Sequence, residues 1–151
     1  MYIKTIANAL CKKHLTRDPF VLADSLGVIV LFEPLGEIKG YYNRCYRQKF
    51  IHINRDLDEH ASAFACAHEI GHTILHPKMN TPFLKSNTLF SVDKLELQAN
   101  HFALDLLYDD YDLLPFLTRP ITDAAVFMGV PVQLAEYRLN AVQPRLFSEF
   151  I

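Results

Sequence analysis

His68-Glu69-Ile70-Gly71-His72 sets two imidazoles four residues apart, with a carboxylate beside the first. On an α-helix, positions i and i+4 lie one turn apart on the same face. Two imidazoles stacked this way can each direct a nitrogen at a single Zn²⁺, at about 2.0–2.1 Å. Glu69 projects beside them, where its carboxylate can take a proton from a water that the metal activates. The pattern therefore assigns His68 and His72 as metal ligands and Glu69 as a general base. The flanks support a structural setting for this chemistry. Ala61-Ser62-Ala63-Phe64-Ala65-Cys66-Ala67 leads in with small and apolar residues, and Ile70 and Leu75 continue them. A helix this apolar is largely buried, and buried imidazoles need polar partners or a metal.

A catalytic zinc site typically takes three protein ligands and leaves one position open. A metzincin would place glycine at 75 and histidine at 78, and this chain has Leu75 and Lys78. The other common plan takes a glutamate from a later helix, and Glu96 fits it. Asn100 stands one helical turn beyond Glu96, on the same face, where its amide can hold a ligating imidazole in orientation. Two further histidines compete for the third position. His76 continues the His68/His72 stripe but falls beside Pro77, where closing the helix end suits it better. His101 points about 100° away from the Glu96 face.

Elements must position these groups. Residues 3–15 carry apolar positions at helical spacing, and Asp18-Pro19 reads as an N-cap with proline in the first turn of a second helix through Leu26, ended by Gly27. Val28–Phe32 reads as a buried strand, residues 38–42 as a second and Phe50–Asn54 as a third. The active helix is expected over residues 57–75, stopping before Pro77. Lys78–Asn87 reads as a polar loop, and Ser91-Val92-Asp93-Lys94 as the capped start of the Glu96 helix, which reaches about Tyr108. Short helices follow at 122–128 and 131–140. The sum is α+β: N-terminal helices, a small three-stranded sheet, the H-E-x-x-H helix, the Glu-bearing helix and short C-terminal helices, a zincin-like arrangement. The last residue of the third strand, Asn54, marks an edge at which an extended peptide can pair.

Composition narrows the function classes. The 151 residues are expected to form a single metallopeptidase domain, long enough for a proper core. Net charge −2 and pI near 6.4 give no basic footprint for direct nucleic-acid binding and none for a membrane surface. No run approaches the roughly 18 apolar residues of a membrane span, and Met1–Thr5 is not a secretory signal, so a cytoplasmic protein is expected. Cys11, Cys45 and Cys66 are an odd, widely spaced set, expected as reduced structural thiols, with Cys66 turned from the metal face.

The assembled motifs resemble the ImmA/IrrE metallopeptidases. Phe64–His76 resembles that family's "FxxAHExGHxxLH" helix, and Glu96–Ala103 its "ExxANxFA" helix. Ile51-His52-Ile53-Asn54 is similar to the strand before the active helix. Phe127–Pro131 with Tyr137-Arg138-Leu139 is similar to the C-terminal pair of short helices. The resemblance runs through about residues 20–140. It implies a zinc endopeptidase of phages, mobile elements or stress responses, which relieves repression by cleaving a helix-turn-helix repressor. Carried over, it makes His68, His72 and Glu96 ligands of Zn²⁺ and Glu69 the base. Tyr42, Tyr108 and Arg138 are eligible to stabilise the oxyanion. The alternative is a metal-stabilised binding module that grips a repressor without cutting it; a third is a zinc hydrolase acting on a non-peptide amide.

Overall fold

The computed structural model describes residues 2–78 and 89–143. The chain folds as α+β, as the element pattern predicts. Helix α1 spans Tyr2–His14. Helix α2, Pro19–Ser25, is capped by the Asp18 carboxylate, which accepts from the Phe20 and Val21 amides. Gly27, at φ +73°, then turns the chain into strand β1, Ile29–Glu33.

Strands β2 (Gly40–Cys45) and β3 (Gln48–Asn54) complete the sheet, in the order β1-β3-β2. β3 pairs parallel to β1 and antiparallel to β2. This order corrects two expectations. β3 is the central strand, hydrogen-bonded on both sides, so the edge expected at Asn54 does not exist. β1 is an edge strand and is not buried: on its outer face Ile29 is 43 % and Leu31 39 % exposed. Helices cover only one side of the sheet, so β1 has no second layer to bury its apolar run. β2 also lies later than the expected 38–42. It joins β3 through Tyr46-Arg47, a two-residue turn with both φ positive (50° and 70°).

The inner face of the sheet presents Tyr42, Ile51 and Ile53, all fully buried, to helix α3, Glu59–Leu75. Asp58 caps α3 by accepting from the Ala61 amide at 2.8 Å. Helix α4 (Leu89–Leu107) packs across α3, and α1 packs on α4. α4 begins at Leu89, so Ser91 lies inside it and does not cap it. Residues 79–87 of the expected loop lie outside the described residues. After α4 come α5 (Asp110–Leu113), a 3-10 turn (Leu114–Thr118), α6 (Ile121–Met128) and α7 (Val132–Asn140). The core has two lobes. One joins α1, α2, the sheet and α3 to the near face of α4; the other packs Leu104, Leu113, Met128 and Ala135.

One residue sets the α3–α4 distance. A Cβ on Gly71 would lie 3.1 and 3.2 Å from Phe102 side-chain atoms and 3.3 Å from the Ala99 Cα. Only hydrogen at that point lets the two helices approach this closely.

Candidate metal centre

The α3–α4 crossing brings together residues far apart in sequence. His68 and His72 stack along α3, their ring centroids 4.8 Å apart. Both turn Nε2 toward one carboxylate on α4. Glu96 Oε2 lies 3.1 Å from Nε2 of His68, and Oε1 lies 2.8 Å from Nε2 of His72. The Glu69 carboxylate is close as well, with Oε2 3.9 Å from Nε2 of His68. His72 is fully buried and Glu69 is 3 % exposed. Of the two carboxylates, Glu96 is the one that both imidazoles face directly.

Asn100 Oδ1 stands 2.8 Å from Nδ1 of His68. A carbonyl oxygen only accepts, so this nitrogen donates, and Nε2 is left to face Glu96. Electrostatics follow from the packing. Burial by itself would lower the His68 pKa, but the hydrogen bond to Glu96 and the charges of Glu69 and Glu96 outweigh it and raise the value. Burial would raise the Glu96 pKa, yet the hydrogen bonds from His68 and His72 hold its carboxyl well below the usual carboxylate range.

The donor set fits a small divalent cation. Ligands at about 2.0–2.1 Å around a tetrahedral ion sit about 3.3 Å from one another. The Glu96 oxygens lie 3.1 and 2.8 Å from the two imidazole nitrogens, within about half an ångström of that spacing. Two nitrogens and a carboxylate are borderline donors that suit zinc.

A cleft of about 620 Å³ opens over these groups. His68, Glu69, Glu96 and Asn100 lie on its floor. Gly40 of β2 forms part of one wall: a Cβ there would meet the His52 carbonyl at 2.8 Å and the Glu69 Cγ at 3.8 Å. Phe64, Val130 and Leu134 add an apolar lining.

Other sequence candidates are placed elsewhere. The Tyr42 ring is fully buried and its hydroxyl donates to the Pro77 carbonyl at 3.3 Å. Arg138 is buried against Asp110, at 2.7 Å, and Asp105. The Tyr108 hydroxyl donates to the Met128 carbonyl at 3.4 Å. None of the three is among the residues that line the cleft. His101 stacks flat on Tyr137, centroids 3.5 Å apart, away from the cleft. His76 closes α3, its amide donating to the His72 carbonyl at 2.8 Å. Its ring also touches His72 and Gln98, contacts that sequence reasoning missed. Cys66 is buried in the core and burial pushes its thiol up to about 12, so it stays protonated. Among the described residues the three cysteines are free thiols, and no helix is long and apolar enough to cross a membrane.

Comparison with known proteins gives concordant matches. The family model described as the IrrE N-terminal-like domain, a peptidase family, matches residues 23–140. The chain is 42 % identical over 139 residues to "Uncharacterized immunity region protein 2" of Bacillus phage phi105, covering 90 % of this chain and 88 % of that protein. It is 30 % identical over 146 residues to "Metallopeptidase ImmA" of Bacillus subtilis (strain 168), covering 93 % of this chain and 85 % of that one.

Proposed function

The chain belongs to the ImmA/IrrE metallopeptidase family, and from that premise we propose that it is a zinc endopeptidase. His68, His72 and Glu96 are its ligands and Glu69 its general base. The observation that carries this reading is the convergence of both imidazole Nε2 atoms on the Glu96 carboxylate, at the floor of a cleft and beside Glu69. Zinc, when bound, supplies Lewis-acid polarisation of the attacking water and the scissile carbonyl. Glu69 accepts the water proton and returns it to the leaving amine. Glu69 lines the cleft, and its burial beside Gly40 limits its rotation. Asn100 keeps His68 in the tautomer that offers Nε2.

Among the described residues β2 is an edge strand whose first residue, Gly40, lines the cleft with Glu37, Ile38 and Lys39, and an extended peptide can pair along this wall. This replaces the pairing expected at Asn54. The substrate we propose is a helix-turn-helix repressor of a phage or mobile element, cleaved in the cytoplasm. Two things support it: the relative named for a phage immunity region, and a net charge of −2, which offers no footprint for reaching a promoter by DNA binding.

The test is to incubate the purified chain with a repressor encoded beside it, with and without Zn²⁺, and to follow fragments by mass spectrometry. Zinc-dependent fragments that vanish with Glu69→Gln are the expected outcome. Relief of repression with an intact repressor would support the binding-module alternative instead.

A further inference from the structure

His76 and Gln98 are polar groups at the α3–α4 crossing to which the peptidase reading gives no task. Nδ1 of His76 lies 3.0 Å from Nδ1 of His72, and Nε2 of His76 lies 2.8 Å from Oε1 of Gln98. The backbone amide of His76 is what closes α3, and a helix cap needs no imidazole. Yet the residue is only 8 % exposed, and burying an imidazole is costly unless both ring nitrogens find partners. Here both do, and the pattern has a direction. Gln98 Oε1 only accepts, so Nε2 of His76 carries its proton and Nδ1 is bare. A bare Nδ1 on His76 accepts, so Nδ1 of His72 donates and Nε2 of His72 is the nitrogen left for a metal. That is the nitrogen turned to Glu96.

We propose that His76, anchored by Gln98, is a positioning residue that fixes the tautomer and ring orientation of His72 for metal binding. The inference rests on reading His72 as a ligand. Helix α4 then orients both imidazoles: Asn100 holds His68 directly, and Gln98 holds His72 through His76. The opposite polarity would set the bare Nε2 of His76 against the Gln98 oxygen and place a proton on the His72 nitrogen needed by the metal.

The experiment uses the full chain and Zn²⁺, with affinity read by chelator competition. His76→Leu should weaken zinc binding about 10–100-fold, the usual effect of removing a group that orients a ligand. His76→Asn should recover most of the loss, because Asn Oδ1 takes the place of the accepting Nδ1. Gln98→Glu should bind zinc at least as well as the unaltered chain, since a carboxylate can only accept and enforces the same polarity. Independently of any variant, ¹⁵N-histidine NMR of the zinc-loaded chain should show His72 protonated at Nδ1 and His76 at Nε2. Unchanged zinc affinity in His76→Leu, or a proton on Nδ1 of His76, would overturn the relay while leaving the ligands intact. Failure of the unaltered chain to bind zinc would instead remove the ligand reading itself.

Discussion

Helix α4 passes through two buried polar clusters of opposite kinds. Near its middle, Glu96 faces the imidazoles of His68 and His72. Farther along, Asp105 belongs to a cluster with Asp110, Arg138 and Lys4, which ties α1 and α7 to the α4–α5 junction. There Arg138 donates to Asp110 at 2.7 Å, Lys4 donates to Asp110 at 2.7 Å and to the Ala141 carbonyl, and Tyr137 donates to Asp105 at 2.6 Å. Two cations balance two carboxylates, so the charges of this cluster compensate one another, although Asp105 Oδ1 and Arg138 Nε and Nη1 have no hydrogen-bond partner among the described residues. In the His/Glu cluster the donor atoms that converge are imidazole nitrogens and carboxylate oxygens, a set that a divalent cation completes. Both clusters carry the cost of burying polar groups. Only the His/Glu cluster gains a chemical capability from it, and it is the one at a cleft.

That contrast can be broken at either end. The largest effect is expected at Glu69. Glu69→Gln should lower peptide turnover by roughly 10²–10⁴-fold while leaving zinc content and the unfolding midpoint near those of the unaltered chain. A parallel fall in zinc content would mean that Glu69 acts as a ligand.

Arg138→Met should have the reverse signature. Removing one partner of a buried ion network typically costs about 3–5 kcal/mol, because Asp105 and Asp110 are left buried and under-compensated. Denaturant unfolding should show that loss, whereas zinc affinity of the folded fraction should be nearly unchanged. Strong loss of zinc binding in the folded fraction would show the two clusters to be coupled through α4.

Gly71→Ala probes what holds the α3–α4 crossing together. Overpacking against Phe102 and Ala99 costs about 1–3 kcal/mol. Alanine's helix propensity returns up to about 1 kcal/mol. A modest net loss of stability is therefore expected, together with weaker zinc binding as α4 is pushed from α3. Gain of stability with unaltered zinc affinity would show that the close crossing is not needed.

The smallest effect concerns acid stability. Burial would raise the Asp110 pKa, but Lys4, Arg138 and the Gln143 amide outweigh it and lower it. A lowered folded value means stability that is present above the unfolded aspartate pKa of about 3.9 and lost as pH falls through the folded value. Asp105 has the opposite sign, since burial pushes it up despite Tyr137 and Arg138, and it partly cancels the effect. A shallow acid limb is expected in urea titrations, at most about 1.4 kcal/mol per pH unit for one group. Lys4→Met should make this limb smaller, because the folded Asp110 pKa moves back toward the unfolded value.

The two clusters differ also in how far the sequence reveals them. His68, Glu69 and His72 follow from one-turn spacing on a single helix, which depends only on local geometry. The pairing of Glu96 with them depends on the α3–α4 crossing, and the signal for that crossing is Gly71 opposite Ala99 and Phe102. The Lys4/Asp105/Asp110/Arg138 cluster joins four separate elements, and no local period announces it. Arg138 reads as an oxyanion candidate until Asp110 is seen beside it. The longer helices and the three strands are legible from periodicity and caps such as Asp18, whereas the short α5 and the 3-10 turn after it are not. The strand order is not, because nothing local says that the last strand inserts between the first two. The Tyr46-Arg47 turn hides similarly, since its residues lack the Asn-Gly signature of a two-residue hairpin.

The central claim is that His68, His72 and Glu96 together hold one Zn²⁺. Calorimetric titration of the metal-free chain with Zn²⁺ tests it most directly. One equivalent should bind tightly to the unaltered chain, and binding should collapse in His68→Ala, His72→Ala and Glu96→Ala alike. Full-strength binding in Glu96→Ala, with collapse in His76→Ala or His101→Ala, would contradict it.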